Sequence, residues 1–180
     1  MPKRIPRDIN WLIKKYLDFF RKYGLSETMI REIYEKWLPG TGLITDFIWF
    51  IFEYLLTEIA KQKTPLALEF HRLTSDVYNQ MAMYLIKEGK RNPNYLLKKF
   101  HYHELCYSEI ATTNFVVEVE ILSRKCCPYC DNINGLKMTI EEAKEKQLLA
   151  SENCTNARNC TCSYLVKPLR GDDGWALVKG

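Results

Sequence analysis

Phe115-Val116-Val117-Glu118-Val119-Glu120-Ile121, followed six residues later by Cys127-Pro128-Tyr129-Cys130, separates two kinds of structure in this chain. In the first part of that stretch the odd positions are apolar and the even positions turn to Glu. This is the two-residue period of a strand with one buried face. The second part is a Cys-x2-Cys whose second residue is Pro, with Gly135 five places beyond its second cysteine. Such a spacing bends the backbone so that two thiolates and nearby amides face one point, the arrangement of a zinc knuckle.

Upstream of residue 113 the period is helical. Asp8 is placed to cap a helix whose face carries Ile9, Leu12, Ile13, Tyr16, Leu17 and Phe20, and Gly24 is placed to end it. Ser26 can cap a second helix with Met29, Ile30, Ile33 and Trp37 on one face, stopped by Pro39-Gly40. A third, roughly Leu43 to Ala60, contains Phe47-Ile48-Trp49-Phe50-Ile51-Phe52 and is apolar nearly all round, which predicts a buried central helix. Thr64-Pro65 opens a fourth, striped by Leu66, Phe70, Leu73, Val77, Met81 and Tyr84 and ending at Gly89. Asn92-Pro93 starts a fifth through Tyr95, Leu96, Leu97 and Phe100. Short connections between successive helices predict an antiparallel bundle.

Downstream of the knuckle, Asn134-Gly135 is a tight-turn dipeptide and Thr139-Ile140-Glu141-Glu142 is a capping box opening a short helix. Residues 163–169 and 175–178, around Gly171-Asp172-Asp173-Gly174, read as a terminal hairpin. The expectation is an α+β protein. A helical bundle domain of residues 1–105 is followed by a small β-rich, zinc-stabilised module of residues 113–180.

The chain has 180 residues, of which 47% are hydrophobic and 13% aromatic, a composition that forms a core and excludes a disordered chain. Its most apolar stretch, Leu43 to Leu56, holds Asp46 and Glu53 and is too short to span a bilayer. The basic first residues, Met1 to Arg7, are not followed by an apolar signal core, so a soluble cytoplasmic protein is expected. Seven cysteines, an odd number with six in the last third, favour metal over a disulfide scaffold.

Zinc takes four ligands in a tetrahedron. Cys127 and Cys130 supply two, and the rest must come from Cys154, Cys160 and Cys162, with Cys126 as a further candidate beside the knuckle. Cys127, Cys130, Cys154 and Cys162 are the favoured set, because Cys160 and Cys162, two apart on a strand, would crowd one ion. Cys160 competes closely with Cys162. An iron–sulfur cluster also uses thiolates, but the Cys-Pro-x-Cys form points to zinc. A redox Cys-x2-Cys would open a helix in a thioredoxin-like context, which this pattern lacks.

Cys127-Pro128-Tyr129-Cys130, Asn134-Gly135, Leu148-Leu149, Cys154-Thr155 and Cys160-Thr161-Cys162-Ser163-Tyr164 together resemble a cysteine-rich tail found on assorted bacterial and phage proteins. They are also loosely similar to the tail of phage head-morphogenesis proteins, without the His-Pro that those carry before the last cysteines. The resemblance covers about residues 115–166. It implies metal binding and no particular activity.

Other candidates have ordinary structural readings. His101-Tyr102-His103-Glu104 with Cys106 could form a second metal site or a general base, but on a helix the two imidazoles point apart. His71 sits beside a core stripe, and Cys106 reads as a buried apolar residue. Asp172-Asp173 are turn formers, and Glu118 and Glu120 belong to a solvated sheet face.

The first hundred residues carry 17 Lys and Arg against 11 Asp and Glu, and the remainder 9 against 11. The excess gathers at Lys87, Lys90, Arg91, Lys98 and Lys99, a corner suited to phosphate contacts. The leading expectation is therefore a zinc-binding, non-enzymatic binding or adaptor protein, with nucleic acid the favoured partner of its basic half. A protein-interaction or phage-assembly component is the alternative. A zinc-dependent nuclease or hydrolase is a third, against which the missing His/Asp/Glu constellation counts.

Overall fold

A computed structural model of the chain describes residues 7–37, 42–62, 66–88, 92–124, 126–156 and 160–180. The elements are α1 (Ile9–Arg21), α2 (Glu27–Trp37), α3 (Ile44–Lys61), α4 (Ala67–Glu88), α5 (Asn94–Ala111), β1 (Val117–Leu122), α6 (Pro128–Asn132), β2 (Lys137–Met138), α7 (Ile140–Lys146) and β3 (Ser163–Pro168). The protein is α+β, with long helices first and a small antiparallel sheet near the cysteines. Its compact units are Met1–Glu58 and Ile59–Gly180, so the division falls within α3. Helices α4 and α5 thus share a unit with the cysteine segment, whereas periodicity alone grouped them with α1–α3.

In the first unit, local chemistry starts the helices as expected. Asp8 Oδ1 accepts from the Trp11 amide at 2.8 Å and Ser26 Oγ from the Met29 amide at 3.2 Å, satisfying donors that a helix start leaves open. The core is aromatic. Phe52 of α3 meets Tyr16, Phe19 and Phe20 of α1, with ring centroids 6.0 to 6.3 Å apart, and Phe47 meets Tyr34 and Trp37 of α2. Phe47, Ile48, Ile51, Phe52 and Leu55 are buried, but Phe50 is 38% exposed. The all-round apolarity of α3 therefore does not bury it all round; Phe50 stacks on Phe47 and faces partly outward. The Pro39-Gly40 stop, the Thr64-Pro65 start and the Gly89 end lie outside the described residues.

In the second unit, α4 and α5 form the main helix pair. His71 contacts His103 and Ser75 contacts Glu104 in mid-α5, while His71 also interacts with Glu109 and Tyr78 with Tyr95, so early α4 lies by late α5 and the two run antiparallel. Helix α5 is longer than Asn92-Pro93 to Phe100 suggested, continuing to Ala111, and it packs on both α7 and β3. Lys144 of α7 reaches both carboxylate oxygens of Glu109 on α5 at 2.8 Å.

The sheet order is β2-β1-β3, all antiparallel. Its register sets Val119 opposite Met138 and Val166, and Ile121 opposite Tyr164, on the buried face. The other face is a charge ladder: Lys137 pairs with Glu118 at 3.0 Å, and Lys167 pairs with Glu118 and Glu120. Glu118 and Glu120 are thus paired with lysines across the sheet, on the charged face that their alternation predicts. Beyond β3 the chain turns back. Gly171 donates to Trp175 and Leu177 donates to Leu169, closing the expected terminal hairpin, and Val178 bridges to Phe115.

Candidate metal centre

The knuckle hangs from the β1–β2 connection. Gly135, at φ +75°, donates to the Ile121 carbonyl at 2.8 Å and returns the chain to β2, a backbone turn that favours glycine. Between them Cys127 is the N-cap of α6, a single helical turn with Pro128 at its first position, and its Sγ accepts from the Cys130 amide at 3.5 Å. The second set of cysteines arrives from the other side. Helix α7, held by the complete Thr139/Glu142 capping box, ends at Gln147 in the left-handed region. Ala150 is also left-handed, and the link leads to Cys154, whose amide donates to Ser151. Asn156 then donates from its side chain to the Cys126 carbonyl at 2.7 Å, fastening this loop to the knuckle. Cys160 and Cys162 lead into β3.

Six sulfurs converge, in two groups that share Cys130. Cys126, Cys130, Cys160 and Cys162 form one; Cys127, Cys130 and Cys154 form the other; within each, all sulfurs lie within 4.8 Å of one another. Individual separations are 3.2 Å for Cys126–Cys162, 3.3 Å for Cys126–Cys160, 3.8 Å for Cys130–Cys154, and 4.0 Å for both Cys127–Cys154 and Cys130–Cys160. All seven cysteines are free thiols. An ion at about 2.3 Å from each of four tetrahedral sulfurs sets them about 3.8 Å apart, so most of these separations already suit coordination. The centre can hold metal.

Ionisation is shared across the two groups. Burial opposes ionisation of Cys127, but hydrogen bonds from the Cys130 and Thr155 amides, and from the Cys130 and Cys154 thiols, outweigh it and hold its pKa at about 6. Burial also opposes Cys162, whose pKa is nevertheless lowered by the Arg124 amide and by Cys126, Cys160 and Ser123. Cys130 is pushed up by burial and by its thiol neighbours. Burial raises Cys160 and Cys126 as well. Each group therefore contains one cysteine whose pKa is lowered, and a bound cation would supply the charge that lets the others ionise.

Every cysteine singled out by spacing, namely Cys127, Cys130, Cys154, Cys160 and Cys162, belongs to this centre, and Cys126 joins them. They do not assemble as one set of Cys127, Cys130, Cys154 and Cys162. Cys162, just ahead of β3, falls with Cys126 and Cys160, its sulfur 3.2 Å from that of Cys126. Neighbouring side chains on extended backbone point opposite ways, which is how Cys126 and Cys127 come to serve different groups.

Of the three histidines, two pair with each other and the third faces β3. His101, in mid-α5, stacks edge-on against Tyr164 of β3, and burial pushes its pKa down to about 4. His103, on the other side of the helix, sets its Nδ1 2.9 Å from that of His71 on α4. Burial, then His71 and Lys99, lower its pKa to about 4, and burial lowers that of His71. This His71–His103 pair was not legible in sequence, since it depends on the register of α4 against α5. Cys106 is buried, as its apolar surroundings suggested, and burial raises its pKa. Asp173 Oδ1 accepts from the Trp175 amide at 3.0 Å, a turn-forming role. A cavity of about 270 Å³ lies between α4, α5 and the Cys160–Tyr164 segment, lined by Asn79, His101, Glu104 and Ser108.

Of the basic corner, Lys90 and Arg91 lie outside the described residues. Lys87 is in the last turn of α4, and Lys98 and Lys99 are on α5, where Lys99 Nζ sits 5.7 Å from the ring centre of Tyr95. No helix among the described residues is long and apolar enough to cross a membrane. No family model, curated protein or solved structure matches the chain.

Proposed function

We propose that this chain is a zinc-binding, non-enzymatic binding protein of the cytoplasm, in which a thiolate centre fixes the fold of its C-terminal part. The convergence of six free cysteines from three separate segments carries this reading. Thiolates select soft or borderline metals, and a knuckle of this form suits tetrahedral zinc. A cluster of free thiols also accords with a reducing compartment. Four thiolates on an ion leave no position for an activated water, which favours a structural role.

Nucleic acid is the partner that the basic corner supports best. Tyr95 is 66% exposed beside Lys99, which combines an aromatic ring with phosphate-binding charge on one helix. Contacts of that kind release counterions, so affinity falls steeply with salt, with a slope of about −0.9 per phosphate neutralised on duplex DNA. Replacing Lys90, Arg91, Lys98 and Lys99 together by Ala should flatten the slope by roughly three units in an anisotropy titration at several salt concentrations. No binding at low salt, or binding indifferent to the quadruple substitution, would remove nucleic acid as the partner.

One observation favours a protein partner instead. Trp175 is 76% exposed and Val178 65% exposed on the terminal hairpin, and large apolar side chains left exposed are the material of contact surfaces. An assembly role, as in the phage proteins whose tails the cysteine pattern resembles, would use such a surface. The zinc-hydrolase alternative turns on the Cys127–Cys130–Cys154 group. It supplies three thiolates, and a water in the fourth place would make it a reactive site.

A further inference from the structure

We infer that the six cysteines hold two zinc ions in one thiolate-bridged cluster, with Cys130 and Cys160 shared between them; this rests on the zinc reading above. The two groups are not separate sites, because Cys130 is a member of both. Two tetrahedral ions require eight thiolate positions, and six sulfurs fill eight positions only if two of them bridge. Cys130 is one bridge by its place in both groups. The second must come from a sulfur that one group already contains and that the other can reach.

Cys160 satisfies that condition. It lies 3.3 Å from Cys126 in its own group and 4.0 Å from Cys130, the sulfur that also belongs to the three-cysteine group. Cys126 and Cys162 then serve one ion as terminal ligands, and Cys127 and Cys154 serve the other. The fourth place on the second ion is thereby closed by sulfur, leaving no position for water. The Cys126 contacts, at 3.2 and 3.3 Å, open by about half an ångström to reach the tetrahedral spacing of about 3.8 Å, and Cys160, which lies outside the 4.8 Å span of the three-cysteine group, closes toward Cys127 and Cys154 as the second ion binds.

Charge is no obstacle. Two divalent ions with six thiolates carry the same net charge of about −2 as one ion with four, spread over a larger cluster, and amides of Cys130, Thr155 and Arg124 donate to it. A single ion would leave two thiols idle against four thiolates in a buried space. The two groups also reach the cluster on complementary segments. Cys126 and Cys127 are adjacent and serve different ions, while Cys160 and Cys162 are two apart and share one.

The full-length chain, purified with zinc, should contain two zinc ions by native mass spectrometry and elemental analysis. Exchanged with cadmium-113, it should give two metal resonances split by each other through the bridging sulfurs. Cys126→Ser should lower the zinc content from two ions toward one and abolish the splitting. One ion per chain would overturn the bridged cluster while leaving the zinc-centre reading intact. Two resonances without mutual splitting would also overturn it, as would a Cys126→Ser protein that retains two bridged ions. A chain that binds no zinc would overturn both readings.

Discussion

The two compact units solve the same problem with different materials. Met1–Glu58 is held by large side chains: Leu12, Tyr16, Phe20, Phe47, Ile48, Ile51, Phe52 and Leu55 are all buried, and the rings of Tyr16, Phe19 and Phe20 meet that of Phe52. Each such side chain contributes about 1.5–3 kcal/mol on leaving water. From Ser123 to Tyr164 the second unit buries few large side chains, chiefly Met138, Ile140 and Leu149, alongside Ala143, Ala150 and four cysteines. Its chain also passes through left-handed backbone at Gln147 and Ala150, each costing about 1–2 kcal/mol for an L residue. Where apolar mass is scarce and the backbone is strained, metal–thiolate bonds of the proposed centre would take the place of a core.

That contrast can be broken most directly in the first unit. Phe52→Ala should destabilise it by about 3–5 kcal/mol, through lost transfer energy and the cavity left among the α1 rings. Metal content should be unchanged, since the cysteines belong to the other unit. Denaturant melts of the variant, with zinc analysis of the same samples, check both parts. Loss of metal with Phe52→Ala would show that the units are energetically one.

A smaller effect lies at the His71–His103 pair. The folded pKa of His103 is about 4, below its usual value near 6.5, so the unfolded chain binds more protons between those values. Stability from this pair is therefore fully present above about pH 6.5 and is lost as pH falls toward 4. The full shift would correspond to about 3 kcal/mol, but the pair is part-exposed and solvent screening reduces the expected loss to about 1–2 kcal/mol. His103→Phe should flatten the dependence in denaturant melts between pH 7 and 4.5. An unchanged pH profile would remove the pair from the account.

The smallest effect concerns Thr139, whose hydroxyl accepts from the Glu142 amide at 3.1 Å while the Glu142 carboxylate accepts from the Thr139 amide at 3.0 Å. Thr139→Ala should cost about 1 kcal/mol and should be felt only in the second unit, as earlier loss of exchange protection in α7. Equal loosening of α1–α3 would contradict the division between units.

What the sequence disclosed follows the range of the interactions involved. Asp8, Ser26 and the Thr139/Glu142 box act within three residues, so their roles were readable before any fold was known. The alternation of β1 and the Cys127/Cys130 knuckle are equally local. Grouping is different. The partition of six sulfurs depends on how β3 and the Ser151–Asn156 loop approach the knuckle, and spacing along the chain does not carry that. The placing of α4 and α5 with the cysteine segment rests on α5 packing against α7 and β3, and on Lys144–Glu109. Helical periodicity shows which face is apolar without showing what covers it. Phe50 makes the same point, because an aromatic among aromatics reads as core and is nonetheless 38% exposed.

Hydrogen–deuterium exchange of the zinc-loaded chain, before and after a strong chelator, tests the central claim most directly. Metal removal should strip protection from β1, α6, α7 and β3, whose packing the thiolate centre organises. Protection in α1–α3 should persist, because their core contains no ligand. Unchanged protection throughout residues 117–168 after complete removal of zinc would show that the cysteine segment holds itself together without metal, and would contradict the account.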